Sequence, residues 1–194
     1  MKKTGIIIIL AIVVIAFLWG MGAYNGLVTT QENVNSQWGN VENQYQRRAD
    51  LVPNLVATVK GYATHEKSTF EEVIAARAKA TQITIDPTNM TPEKLQEYQA
   101  AQGQLGSALG RLIAVAENYP DLKANQNFLE LQAQLEGTEN RISVERNRFN
   151  EVAKEYNVSI RRFPKNIIAG IFNFNIKPYF EAMEGANKAP EVKF

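Results

Sequence analysis

Residues 24–80, YNGLVTTQENVNSQWGNVENQYQRRADLVPNLVATVKGYATHEKSTFEEVIAARAKA, carry one heptad register from end to end. Steps alternating between three and four land on Tyr24, Leu27, Gln31, Val34, Trp38, Val41, Tyr45, Arg48, Val52, Leu55, Val59, Tyr62, Glu66, Thr69, Val73, Ala76 and Ala80. Thirteen of these seventeen positions are apolar. A strand requires period two, and a lone amphipathic helix drifts off a strict 3.5-residue repeat. A register held this long therefore predicts a rod packed lengthwise against other helices. At ~1.5 Å per residue the rod is roughly 85 Å long. Its one evident interruption is Pro53. An interior proline removes a backbone hydrogen bond and clashes with the carbonyl four residues back, at about 3 kcal/mol. Val52 and Leu55 keep the same phase on either side, which predicts a kinked continuous helix.

Toward the N-terminus, residues 5–24 (GIIIILAIVVIAFLWGMGAY) hold no charge, and as a helix they span about 30 Å, matching a hydrocarbon core. Ile6, Ile7, Ile8, Ile9, Leu10, Ile12, Val13, Val14, Ile15, Phe17, Leu18 and Trp19 are the expected lipid-facing body of a membrane anchor. A cleaved signal peptide, suggested by small Gly20, Gly22 and Ala23, and a buried core helix are the competing readings. The uninterrupted isoleucine-rich run, with Trp19 and Tyr24 near one boundary, favours a retained anchor. Lys2, Lys3 and the amino terminus lie on one side, and the first charges on the other are Glu32 and Glu42. Positive-inside bias then predicts a single-pass protein of the cytoplasmic (inner) membrane, its N-terminus cytoplasmic and its bulk periplasmic or extracellular. The expected divisions are a cytoplasmic N-terminus (1–4), a transmembrane helix (5–24), an elongated helical bundle (25–180) and a C-terminal tail (181–194).

Composition narrows the partners. The chain of 194 residues is 45% hydrophobic and 21% charged, enough for one core and unlike a disordered chain. Its 21 basic and 20 acidic residues give a net charge of +1, which lacks the electrostatic footprint of a nucleic-acid binder. The absence of cysteine excludes disulfides, thiolate metal sites and cysteine nucleophiles.

Toward the C-terminus, the heptad pattern stops at residues 81–91, which read as a loop closed by Thr91 as N-cap with Pro92 at the first helical position. Leu95, Tyr98, Gln102, Leu105, Leu109, Leu112, Ala116 and Tyr119 form the next seam. Gly103, Gly106 and Gly110 lie in that helix, each costing roughly 1 kcal/mol relative to alanine. They mark either close backbone contact with a neighbouring helix or protomer, or glycine tolerated in a rigid bundle. After Pro120 the seam Phe128, Leu131, Leu135, Thr138, Ile142, Glu145, Phe149, Val152, Tyr156, Ser159 and Phe163 is out of phase with the one before, so the chain reverses there. Continuing straight back would carry a ~65 Å helix past the base of the first rod and push Arg161 and Arg162 into lipid. The expected fold is all-α: an N-terminal transmembrane helix, then an antiparallel up-and-down bundle of three long helices and a short C-terminal segment. That last segment, residues 165–180 (KNIIAGIFNFNIKPYF), is dense in large apolar groups, among them Ile168, Phe172 and Phe174. It packs over the bundle end, meets another protomer or partner, or touches a membrane surface.

The run Gln46-Arg47-Arg48-Ala49-Asp50-Leu51-Val52-Pro53-Asn54-Leu55-Val56, followed by Val59-Lys60-Gly61-Tyr62-Ala63 and His65-Glu66, resembles the signature of bacterial LemA family proteins. Agreement continues in order through Tyr24-Asn25, Leu27-Val28, Trp38, Ala76-Arg77, residues 117–125 (ENYPDLKAN), Glu139 to Ile142, Arg146, Tyr156-Asn157 and Phe163-Pro164. The resemblance covers nearly the whole chain. It implies a single N-terminal membrane segment followed by an elongated, mostly antiparallel helical domain, and no assigned biochemical activity.

Sites for chemistry are sparse. His65 is the sole histidine, and His65-Glu66-Lys67 lacks the spacing that sets two metal ligands on one helix face, so His65 is expected on a helix surface and neither metal nor cofactor is expected. Glu71 and Glu72 point about 100° apart on a helix and read as a solvated face. Polar residues on the seams, Arg48, Glu66 and Glu145, either snorkel to the seam edge or form interhelical ion pairs that fix register. No nucleophile, base and orienting group assemble, so an enzyme is not expected. Two function classes remain. One is a membrane-anchored scaffold that self-associates, since Val28, Leu51, Val56, Phe70 and Ile74 lie off the main seam and call for cover on a second face. The other is a monomeric adaptor or sensor holding another membrane protein, such as a protease or signalling complex.

Overall fold

The computed structural model describes residues 2–181, whose regular elements are all helical. They are α1 (Lys2–Lys60), α2 (Lys67–Gln82), α3 (Pro92–Val115), a single-turn α4 (Pro120–Lys123), α5 (Gln126–Arg161) and α6 (Lys165–Ile171), with short 3-10 turns at Pro87–Asn89 and Ala116–Asn118. The expected C-terminal tail, from residue 182 onward, lies outside the described residues, as does the Lys2 side chain. The all-α reading holds, with one long apolar N-terminal helix followed by further helices.

The expected rod over residues 24–80 does not hold as one helix. It fuses at its lower end with the apolar segment into α1, a 59-residue helix about 88 Å long that continues across Pro53. At its upper end it stops at Lys60. Residues 61–66 reverse the chain, and α2 folds back along α1: Arg77 Nε donates to the Ala49 carbonyl at 2.8 Å. The heptad pattern bridged this turn because apolar side chains occur on both sides of it in a compatible phase. What is buried at the turn differs by one position, since Ala63 is fully covered and Tyr62 exposed, and in α2 Phe70 replaces Thr69 as the buried residue. His65 is therefore an exposed turn residue rather than a helix-surface one.

One extra reversal changes the direction of everything after it. In place of three long helices there are four: α1 up, α2 down, α3 up and α5 down. Lys79 of α2 meets Gln104 of α3, and Arg111 Nε meets Glu72 at 3.1 Å, as antiparallel neighbours do. The local signals that shape α3 and α5 act as their chemistry requires: the Thr91 hydroxyl accepts from Lys94 N, with Pro92 opening α3, and the Asn125 side chain accepts from Phe128 N at 3.0 Å. The upper reversals are tied together, since Asn125 Nδ2 donates to Tyr62 Oη at 2.9 Å and Tyr119 Oη donates to Glu66 at 3.3 Å. α5 then descends beside α1, with Phe149 packed on Trp38, and delivers α6 to the level of Gly20 and Tyr24.

Two cores result. The upper one joins Val52, Leu55 and Val59 to Phe70, Leu105, Leu109, Leu112 and Phe128. The lower one is built around Trp38, whose ring meets those of Tyr98, Phe149 and Phe180 at 5.3, 5.7 and 5.9 Å. Each such pair adds about 0.5–1.5 kcal/mol beyond area burial. Phe180 belongs to residues 172–181, which leave α6 and climb extended along α5.

Candidate functional site

Where α1, α3 and α5 pass from one core to the other, polar side chains enter the buried layer. On α1 the change falls between Tyr45 and Val52, on α3 between Tyr98 and Leu105, and on α5 between Leu135 and Ile142. These gaps are filled by Arg48, Gln102 and Thr138, all buried, with Glu139 beside them. Arg48 Nη1 donates to Glu139 Oε1 at 2.7 Å, while Nη2 donates to the Gln102 carbonyl at 2.9 Å and to its Oε1 at 2.6 Å. Gln102 Nε2 donates in turn to the Ala80 carbonyl of α2 at 3.1 Å, and the guanidinium lies 5.1 Å from the centre of the Tyr45 ring. One arginine thus joins all four helices. Burying its charge is costly, and charge-assisted hydrogen bonds on two sides offset that cost.

Beside this layer a groove of about 850 Å³ opens between α3 and α5, with Tyr45 and Arg48 between them. Its walls include Gln99 and Gly103 of α3, and Ser143 and Arg146 of α5. Arg146 lies 4.9 Å from the Phe180 ring and donates to the Glu181 carbonyl at 2.8 Å, so the climbing C-terminal segment reaches the groove.

That segment is held by two asparagines seven residues apart on α5. Asn157 donates to the Lys177 carbonyl at 2.8 Å and accepts its N–H at 2.9 Å. Asn150 does the same for Phe180, at 2.9 and 2.8 Å. Each side-chain amide thus satisfies one N–H and one C=O of an extended chain, as a neighbouring strand would. Lys177 is buried, its ammonium donating to the Pro87 and Thr88 carbonyls at 2.5 and 3.0 Å. Burial pulls its pKa down, with the nearby Asp86 carboxylate acting in the opposite direction.

The residues singled out in the sequence are dispersed. Arg48 pairs with Glu139, and neither Glu66 nor Glu145 is its partner. Glu66 sits at the start of α2, and Glu145 accepts from Gln37 of α1 at 2.7 Å and from Arg148 at 2.8 Å. Gly106 faces Arg48: a Cβ there would lie 3.6 Å from Nη1, whereas one on Gly103 or Gly110 would meet nothing within 4 Å. Ile168 packs at Gly20, and the Phe172 and Phe174 rings lie 4.7 and 5.7 Å from that of Tyr24. Asn150 and Lys177 were missed, while Gln102 was read only as a seam position and Asn157 only as part of the family motif. Two asparagines seven residues apart, and so on one side of α5, were the available signal for the clamps.

The arrangement can hold helices in register and grip an extended chain. Among the described residues no three histidine, aspartate or glutamate side chains converge to hold a metal. Ser143 lies at the groove, whereas His65 lies in the turn beyond the upper core.

Comparison with known proteins places the chain. The curated relatives include magnetosome proteins MamQ 1 and MamQ 2 of Paramagnetospirillum magneticum, each 30% identical over 175 residues. The match covers 81% of this chain and 64% of those relatives, so the chain spans less than two thirds of their length. Protein LemA of Metamycoplasma hominis is 26% identical over 176 residues, covering 91% of this chain and 76% of the relative. The model of the LemA family matches residues 37–194, a span that includes the Arg48 layer and both asparagine clamps. The chain belongs to the LemA family.

Proposed function

We propose that this chain is a non-enzymatic, single-pass membrane-anchored scaffold whose helical bundle stands outside the cytoplasmic membrane and associates side by side with further copies. The observation that carries the anchor is the bare lower end of α1: Ile6 to Trp19 are left uncovered by the described rest of the chain, Ile7, Ile15 and Phe17 being 66, 66 and 69% exposed. Such a run is stable in lipid and costly in water. Lys2 and Lys3 at its start support a cytoplasmic N-terminus. The features that support association are on α3: Gly103, at the α3–α5 groove, and Gly110 are each positions where an added Cβ would meet nothing within 4 Å, leaving room for a second copy.

A specific observation favours the second reading, a monomeric adaptor that holds another membrane protein. Of the off-seam apolar residues, Val56 and Phe70 are buried and Leu51 packs on the upper core, all within the single chain, which leaves Val28 and Ile74 exposed. The isolated bundle is therefore closed over most of its length. Light scattering coupled to size exclusion, on the full chain in mild detergent, separates the two. A regular multiple of the 21.7 kDa chain mass supports the scaffold, and one chain per micelle overturns it in favour of the adaptor.

A further inference from the structure

Outside the apolar span, four large apolar side chains lie uncovered close together at the foot of the bundle. Phe163, Ile167 and Ile171, spaced four apart, are 76, 53 and 66% exposed, and Phe172 beside them is 55% exposed. On α6 the opposite side is buried: Ala169 joins the lower core and Ile168 packs on α1. Arg161 and Arg162 are exposed at the end of α5, and Lys165 opens α6. A short helix with one apolar face out, one face against its own bundle, and cations at its start is the composition of an element lying in a membrane interface.

Its height on α1 decides what covers it. A Cβ on Gly20 would lie 3.8 Å from Ile168 Cδ1, one on Gly26 would lie 3.8 Å from Lys165 Nζ, and the Phe172 ring is 4.7 Å from that of Tyr24. α6 is thus fastened beside residues 20–26, where the dense run of large apolar residues gives way to Asn25, Gly26 and the threonines beyond. If residues 5–24 fill a hydrocarbon core of about 30 Å, residues 20–24 sit at its boundary and α6 has no position available except the headgroup layer. We propose that α6 with Phe163 and Phe172 is a lipid-surface foot: its apolar face enters the interface of the bilayer that α1 crosses, while Arg161, Arg162 and Lys165 meet lipid phosphates. The foot rests on the anchor reading above. It gives the bundle a second attachment point, so that α1 cannot tilt or rotate independently of the domain it carries.

The absence of cysteine allows single labels on the full chain. Ile167→Cys, Ile171→Cys, Leu10→Cys and Ile74→Cys are each labelled with an environment-sensitive fluorophore and reconstituted into vesicles of zwitterionic and anionic phospholipid. Quenching is then read with shallow and deep spin-labelled lipids and with aqueous iodide. Labels at 167 and 171 are expected to be quenched several-fold more by the shallow lipid probe than the label at 74, and less by iodide. Iodide access equal to that at 74 overturns the foot. Protection from iodide without lipid quenching also overturns it, and points to a protein covering the patch. The label at Leu10 keeps the two readings apart, because deep-probe quenching there with none at 167 and 171 sinks the foot alone, and loss of quenching at Leu10 sinks the anchor.

Discussion

Arg48 and Gln102, separated by 54 positions in the chain, are joined by two hydrogen bonds from a single guanidinium nitrogen, at 2.6 and 2.9 Å. The Arg48 side chain is 4% exposed and that of its ionic partner Glu139 is 43% exposed, so the two sides of the node are unequal. Replacing Arg48 by methionine leaves the Gln102 oxygen and the Glu139 carboxylate without their donor, and is expected to cost about 2–4 kcal/mol. Glu139→Gln acts on a half-solvated group and is expected to cost about 1 kcal/mol or less. Urea unfolding of the full chain in mild detergent measures both. An unchanged midpoint and unchanged mass for Arg48→Met would dispose of the register role.

The asparagine clamps are expected to act as a pair. Asn157→Ala or Asn150→Ala removes a donor and an acceptor together, leaving the Lys177 or Phe180 backbone groups unpaired, at about 1–3 kcal/mol each. The loss falls on the C-terminal segment rather than on the bundle. Hydrogen exchange at the Lys177 and Phe180 amides is therefore expected to accelerate strongly while amides of α3 change little. Uniform acceleration throughout the bundle would show that the segment and the bundle open as one unit, against the local loss expected.

Folding back at residues 61–66 gives a distance test. Positions 50 and 78 are 28 residues apart, about 42 Å along one continuous helix. Arg77 and Ala49, one residue before each, share a hydrogen bond. Spin labels at Asp50→Cys and Ala78→Cys, both at exposed positions, are expected to report a separation far inside that length. A distance near the continuous-helix value would restore the unbroken rod.

Buried phenols set the alkaline limit. Burial raises the pKa of Tyr156 to about 12, and burial likewise raises Tyr45 and Tyr98. In the unfolded chain each ionises near 10.0. Below that pH both states hold the proton and stability is unaffected. Between 10.0 and the folded values the unfolded chain loses protons that the folded chain keeps, so stability falls as pH rises. Phenolate absorbance from Tyr45, Tyr98 and Tyr156 is expected to appear only as helicity is lost. A single titration step completed before any unfolding would contradict the burial of these rings.

Much of the local structure was legible from residues alone. An uncharged twenty-residue run, a threonine followed by proline at the start of α3, and an out-of-phase seam after Pro120 each carry their meaning within a few positions. Burial on α3 and α5 follows the seams read from sequence, from Leu95 to Leu112 and from Phe128 to Tyr156. Periodicity reports which face of a helix is covered, and it is silent on what covers it. A turn of a few residues that happens to keep phase leaves no mark on a heptad register, so the reversal at residues 61–66 was invisible. Only the tertiary structure decided it, because Ala63 and Phe70 find cover only when α2 lies back against α1 and α3. From that one reversal follow the descent of α5, the partners of Arg48, and the placement of α6 beside Gly20 and Tyr24. The sequence determined the helices and their apolar faces, which are local properties. The number of reversals, and with it which end of the molecule the C-terminal segment meets, was set by packing between residues far apart in the chain.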